Sequence, residues 1–230
     1  MRFTSRLAPL AVAVALVLTG CSSSDGSSGT PGGGSSGSAS SAASGSPYLP
    51  VPSGVQLTTP GTRLSLGDHA VVAYHPRQDE VGALDIDVTE LERTSIKDFS
   101  AWQLSAAQRA STPYYVHAKV TNVGDTDLGG RPVPLYVVNE DDVLLESTPF
   151  ASSFAPCPST PFPKRFRPGD SARVCLVYLA PKHGRLVSVS FRPTESFNPI
   201  TWSGDVVRHQ PPARGSKHGK KGHGRTRHRG

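Results

Sequence analysis

The 230-residue chain is 36% hydrophobic, with 23 Gly and 21 Pro, and its length leaves room for one packed domain of about 145 residues and not for a second. Its formal net charge of +6 is not a property of that domain. Arg2, Arg6 and the eight cations of residues 208–230 account for ten of the 24 basic residues, so residues 21–207 hold 14 cations against all 18 acids: the body is mildly acidic and the tail alone is strongly basic.

Residues 1–20 read as an export signal. Arg2 and Arg6 form a positive start, and residues 7–18, mostly Ala, Val and Leu, supply an apolar stretch of about 12 residues, short of the about 20 that a membrane span needs. Leu18-Thr19-Gly20-Cys21 follows and resembles the lipobox of bacterial lipoproteins, in which a small residue precedes a Cys that is diacylated and becomes the new N-terminus. An ordinary secretory cut near Gly20 beside an incidental Cys is the competing reading. Two or three acyl chains, at roughly 0.8 kcal/mol per buried methylene, hold a protein stably where one chain does not. Lipidation at Cys21 therefore predicts a chain anchored on the outer face of the cell membrane, with the membrane as its first partner.

Residues 21–61 form a tether. Its first part, 21–46, is almost entirely Ser, Gly and Ala, too apolar-poor to offset the entropy of ordering, and a Gly/Ser coil of that length reaches about 28 Å at about 5–6 Å × √n. Pro-containing residues 47–60 stiffen its end. The folded body is expected over 62–207, and its patterning is that of strands: Leu84, Ile86 and Val88 alternate with Asp85, Asp87 and Thr89, and Tyr114, Val116, Ala118 and Val120 alternate with Tyr115, His117, Lys119 and Thr121. Further strands are predicted at 69–74, 134–138, 143–146, 172–179, 186–191 and 200–202, with a tight hairpin connection at Asn139-Glu140-Asp141-Asp142. Ser95 and Asp98 have capping-box spacing, and Ile96, Phe99 and Trp102 follow at intervals of three; one or two short helices are expected between 95 and 109, covering one end of the core. Strands without βαβ alternation, plus one helical interruption, predict an all-β fold: an immunoglobulin-like antiparallel β-sandwich with a short helical insertion, flanked by a disordered tether and a disordered basic tail.

With Cys21 set aside, Cys157 and Cys175 remain in an oxidising compartment, and a disulfide is the default reading. It closes 17 intervening residues, worth about 3 kcal/mol by chain entropy. A two-thiolate metal site lacks Cys-x-x-Cys spacing and a nearby His cluster. The Pro- and Phe-containing segment 150–168 around Cys157 is a long loop of the kind that carries binding, and it offers a rigid contact surface for an envelope partner.

The tail, 208–230, has no acid and no large apolar residue beyond its eight cations. Two readings stand side by side: a cationic arm that attracts anionic lipid or wall polymers, at about 1 kcal/mol per basic residue near a charged surface, and a solvated tail that only aids solubility. Nucleic acid is a less fitting partner, since no aromatic is present to stack on bases. His209, His218, His223 and His228 also raise metal capture, with His218, His223 and His228 as candidate ligands spaced five apart, although the intervening cations oppose a dication.

No pattern for catalysis is visible. The sequence has no Gly-x-Ser-x-Gly elbow, His-Glu-x-x-His or phosphate-binding loop, and no cofactor is implied. The domain histidines are His69, His75, His117 and His183; Asp85 with Asp87, and Asp141 with Asp142, fit a solvent-facing strand and a turn better than paired acid–base groups. Asn139 to Asp142 lacks the spacing of a calcium loop.

Thr112-Pro-Tyr-Tyr-Val116, Val120-Thr-Asn-Val-Gly124, the Cys157 and Cys175 pair with Arg167-Pro-Gly-Asp170 between them, and Pro199-Ile-Thr-Trp202 together carry a family resemblance. From about 64 to 202 the chain resembles actinobacterial lipoproteins of unknown function, whose domain is similar to the telokin-like, immunoglobulin-like sandwich of the mycobacterial immunoprotective extracellular protein. The resemblance implies a two-sheet fold and an envelope location, and it brings no catalytic residues. The expected function is a tethered, non-catalytic binding or interaction module. The alternative is a surface protein that captures polyanions or metal through its tail.

Overall fold

The computed structural model describes residues 48–211. The signal, Cys21, the Gly/Ser tether and the tail with His218, His223 and His228 lie outside the described residues.

Ten strands occur among the described residues: β1 (Arg63–Ser65), β2 (His69–Arg77), β3 (Glu80–Arg93), β4 (Thr112–Asn122), β5 (Tyr136–Asn139), β6 (Leu144–Leu145), β7 (Ser171–Ala180), β8 (Leu186–Phe191), β9 (Ile200–Ser203) and β10 (Val206–Arg208). They form two sheets, one ordered β1-β9-β8-β5-β6, the other β10-β3-β4-β7 with β2 also paired to β3. The sheets pack as a sandwich, as the alternating apolar positions require. Leu84, Ile86, Val88, Val116, Val120, Leu176 and Tyr178 of one sheet meet Val137, Val189, Phe191, Ile200 and Trp202 of the other. Trp202 is fully buried and its indole N–H donates to the Asp68 carbonyl at 2.9 Å, so the largest core side chain is also satisfied.

The pairing is antiparallel except at two places, where β1 runs parallel to β9 and β10 parallel to β3. Each is a three-residue pairing made as the chain returns from a distance, so no hairpin turn dictates its direction.

Two of the sequence motifs meet and lock one end of the sandwich. Asn122 is fully buried. Its side-chain amide donates to the carbonyls of Thr126 and Phe166, both at 2.8 Å, and its side-chain oxygen accepts from the Gly124 N–H at 3.1 Å. Across from it, Gly169 adopts φ +84° in the Arg167-Pro-Gly-Asp170 turn, and the backbones of Asn122, Gly169 and Asp170 exchange two hydrogen bonds.

The packed body extends beyond the 62–207 span expected for it. Tyr48 stacks edge-on against Phe197 at 4.8 Å and exchanges hydrogen bonds with the backbone of Ala73, and the Thr58 hydroxyl accepts from the Val71 N–H. Tyr48 and Thr58 together dock this stretch onto β2. At the other end β10 continues to Arg208, and the His209 N–H donates to the Arg93 carbonyl.

The helical insertion comprises a 3₁₀ turn (Ile96–Phe99) and a single helical turn, α1 (Ala106–Arg109), each opened by a complete capping box, Ser95 with Asp98 and Ser105 with Gln108. It covers the outer face of the β3-β4-β7 sheet rather than an end of the core. The reason lies in β4: Tyr114 faces the inter-sheet core, Tyr115 and its partner Val177 face outward, and both are fully buried. Phe99, Trp102, Phe150 and Phe154 cover them in a second apolar layer, with ring centroids 4.9–6.5 Å apart. Burial in this layer pushes the Tyr115 phenol up to about 12.

Candidate functional site

Cys157 and Cys175 are bridged, with Cα atoms 5.2 Å apart. The bridge fixes the long Pro-rich segment to β7, and its Cys157 end is fully buried in the second apolar layer. Hydrogen bonds continue the attachment on both sides. The Ser159 N–H donates to the Cys175 carbonyl, the Ser159 hydroxyl donates to the Thr148 carbonyl and accepts from the Val177 N–H, and the Phe162 N–H donates to the Arg131 carbonyl.

This segment does not present its aromatics to solvent as the sequence led us to expect. Phe154, Phe162 and Phe166 are all buried, because an exposed phenyl ring is costly and two apolar layers lie within reach. Its outward residues include Pro156, Pro158, Pro161, Pro163 and Pro168, with Thr160, Lys164, Arg165 and Arg167. The Phe rings act as anchors and the prolines form the surface.

Beside that surface opens a cleft of about 600 Å³, within the range of small-ligand and side-chain pockets. Five segments build it: the end of β2 with Tyr74, His75 and Pro76; the approach to β5 with Pro132, Val133, Pro134, Leu135 and Tyr136; Glu146, Ser147 and Pro149 after β6; Ser159, Thr160 and Pro161; and Phe191 with Pro193 after β8, with Leu176 of β7 also lining it. Six of these residues are proline, whose fixed φ removes backbone freedom, so the walls are set before any ligand arrives. Two phenols brace the same walls: Tyr74 donates to the Pro132 carbonyl at 2.8 Å and Tyr178 to the Leu135 carbonyl at 2.7 Å. Burial raises both phenols well above their ordinary range, which keeps them neutral donors. Arg131, next to Pro132, makes a two-point ion pair with Glu80, Nε to Oε1 at 2.9 Å and Nη2 to Oε2 at 2.6 Å, tying the wall to β3. The chemistry on offer is a largely apolar surface with several polar handles: the Tyr136 phenol, the Glu146 carboxylate, the His75 imidazole and the Ser147 and Thr160 hydroxyls.

The other candidates from the sequence fall elsewhere. His69 pairs with Asp85 at 3.0 Å, and His117 with Glu92 at 3.0 Å. His183 lines a smaller polar hollow with Arg93, Asp98 and Arg208. Asn139 uses its side-chain oxygen to accept from the N–H groups of Asp141 and Val143, closing the β5-β6 turn. Among the described residues no helix is long and apolar enough to cross a membrane. No family pattern, curated protein or solved structure matches the chain.

Proposed function

We propose that the chain is an anchored, extracytoplasmic, non-catalytic binding module of the lipoprotein kind. Its domain uses the proline-walled cleft to seat an apolar group of an envelope partner while acyl chains on Cys21 hold it at the outer face of the cell membrane. The single observation that carries the reading is the cleft itself: about 600 Å³, six prolines in its walls and two neutral phenols bracing them, which is the build of a preorganised recognition surface. The export signal and Cys21 support the address, and the Cys157–Cys175 bridge suits an oxidising compartment. Ser159, the serine nearest the middle of the segment, has its hydroxyl engaged on both sides, which favours a binding role over a nucleophilic one.

The test is site-specific photo-crosslinking on intact cells. A photoreactive residue at Tyr136 or Thr160 is expected to yield one discrete adduct. The same group at Lys119, exposed on the other sheet, is expected to yield none. Adducts equally abundant at Lys119, or none at the two cleft positions, would sink the proposal.

The tail supports a second reading, in which eight cations without an acid draw the domain toward anionic lipid or wall polymer. Pairing of β10 with β3 favours it by fixing the root of the tail on the sheet. Removal of residues 212–230 is then expected to reduce retention on anionic vesicles at low salt. Equal retention of both forms removes this reading.

A further inference from the structure

The alternation that makes β3 a strand contains a slip. Leu84, Ile86 and Val88 point into the core at even positions, but the next core residue is Leu91, so two polar residues, Thr89 and Glu90, stand where one would continue the pattern. In the ladder this is a β-bulge: Val88 faces Ala118 and Glu90 faces His117, with Thr89 left over. A bulge re-aims every side chain beyond it. Here it turns Glu90 and Glu92 to the outer face, beside His117 of β4.

These three residues bring one ligand atom each within 4.8 Å of one another. A second imidazole stands beside the group, outside that mutual limit. His209, just past β10, sets its Nδ1 3.1 Å from Glu92 Oε2, the same oxygen that lies 3.0 Å from His117 Nε2. Bonds of about 2.1 Å to a tetrahedral ion place neighbouring ligand atoms about 3.4 Å apart, so the two contacts to Glu92 Oε2 need open by only a few tenths of an ångström, while His209, outside the 4.8 Å group, must draw in toward the other ligand atoms. The side chains of Glu92, His117 and His209 are 15%, 30% and 14% exposed, sheltered yet open to an entering ion. Tyr115 stands edge-on to the His209 ring at 5.0 Å, and the Cys175 sulfur lies 3.7 Å from His117 Nε2, so the disulfide-pinned sheet backs the site.

We propose that Glu92, His117 and His209, with Glu90 as the fourth ligand, form a site for a borderline divalent transition-metal ion, Zn²⁺ being the ion that suits a two-imidazole, two-carboxylate set. Two carboxylates balance the dication, which the cation-rich distal tail does not. The bound ion joins β3, β4 and the residue after β10, so it staples the root of the tail to the sheet. The site uses none of the cleft residues and stands whether or not the cleft binds a partner.

The experiment is calorimetric titration of Zn²⁺ into the full mature chain carrying H218A, H223A and H228A, so that the distal histidines contribute nothing. One Zn²⁺ per chain is expected, together with a rise in Tm that EDTA reverses. H117Q and E92Q are each expected to weaken binding by about 100-fold or more, since even outer partners of a ligand change affinity by about 10–100-fold. E90Q, at an exposed position where misfolding is not a concern, is expected to weaken it by at least about 10-fold. X-ray absorption of the loaded protein should show two imidazoles in an all-N/O shell. Absence of stoichiometric uptake, or uptake of unchanged affinity in E90Q, E92Q and H117Q, overturns the proposal and leaves Glu92 as a clasp between two histidines.

Discussion

Replacing Cys157 and Cys175 together by alanine isolates what holds the proline-walled surface in place. The bridge spans a sequence separation of 18 residues, and loop closure over that length restricts the unfolded chain by about 3 kcal/mol. For a domain of this size each kcal/mol moves Tm by about 2–4 °C, so the double variant should melt about 6–12 °C lower, followed by circular dichroism under non-reducing conditions. The native contacts of the segment are expected to survive at low temperature, because Ser159, Phe162 and Phe166 hold it by hydrogen bonds to Cys175, Thr148, Val177, Arg131, Asp127 and Asn122. A drop of less than about 2 °C would show that those bonds alone fix the segment and would refute the entropic argument.

Phe154→Ala empties the centre of the second apolar layer, where Phe154 touches Phe99, Trp102, Phe150 and Tyr115; a loss of about 3–5 kcal/mol in urea unfolding is expected, and a loss under 1 kcal/mol would mean that the layer is not packed. Asn122→Ala strands two carbonyls and one N–H at the end of the sandwich and should cost about 2–4 kcal/mol, whereas Thr121→Ala beside it should stay within about 0.5 kcal/mol. Tyr48 and Tyr115 have phenols raised by burial to about 12. Their contribution is full below about pH 10 and is lost as the unfolded phenols ionise above it, so stability should fall between pH 10 and 12, and less steeply in Tyr48→Phe. Asp127 is held low first by the Phe166 N–H, then by the Gly129 N–H. Its contribution is present above the usual carboxylate range and lost as pH falls below it, so Asp127→Asn should blunt the acid limb of the stability profile.

Much of the fold was legible wherever the determinants are local. Residues 186–191 form β8 as the pattern required, and the Ser95 and Asp98 pair caps its turn. The alternation in β3 was legible only as far as Thr89, because the bulge reverses the faces beyond it, and with that reversal Glu90, Glu92 and His117 went unnoticed as a group. The adjacent polar pair between Val88 and Leu91 was the available signal. Tyr115 looked like a solvent-side residue because period-2 patterning assumes one buried face, and here the outer face of β4 is also covered around Tyr115, though not at Lys119. The cleft could not be read from sequence at all: five separated segments converge on it through long-range pairing. The parallel pairings of β1 and β10 are invisible for the same reason.

The anchoring proposed at Cys21 would decide where all of this chemistry takes place, and the mass of the natural product reports it directly. Protein extracted by detergent from the membrane fraction of the producing cells should have lost residues 1–20 and should begin at a Cys21 carrying a diacylglyceryl thioether, and Cys21→Ser should abolish that species. A chain recovered from membranes or medium with an unmodified Cys21, or one still beginning at Met1 in the cytosol, would contradict the account.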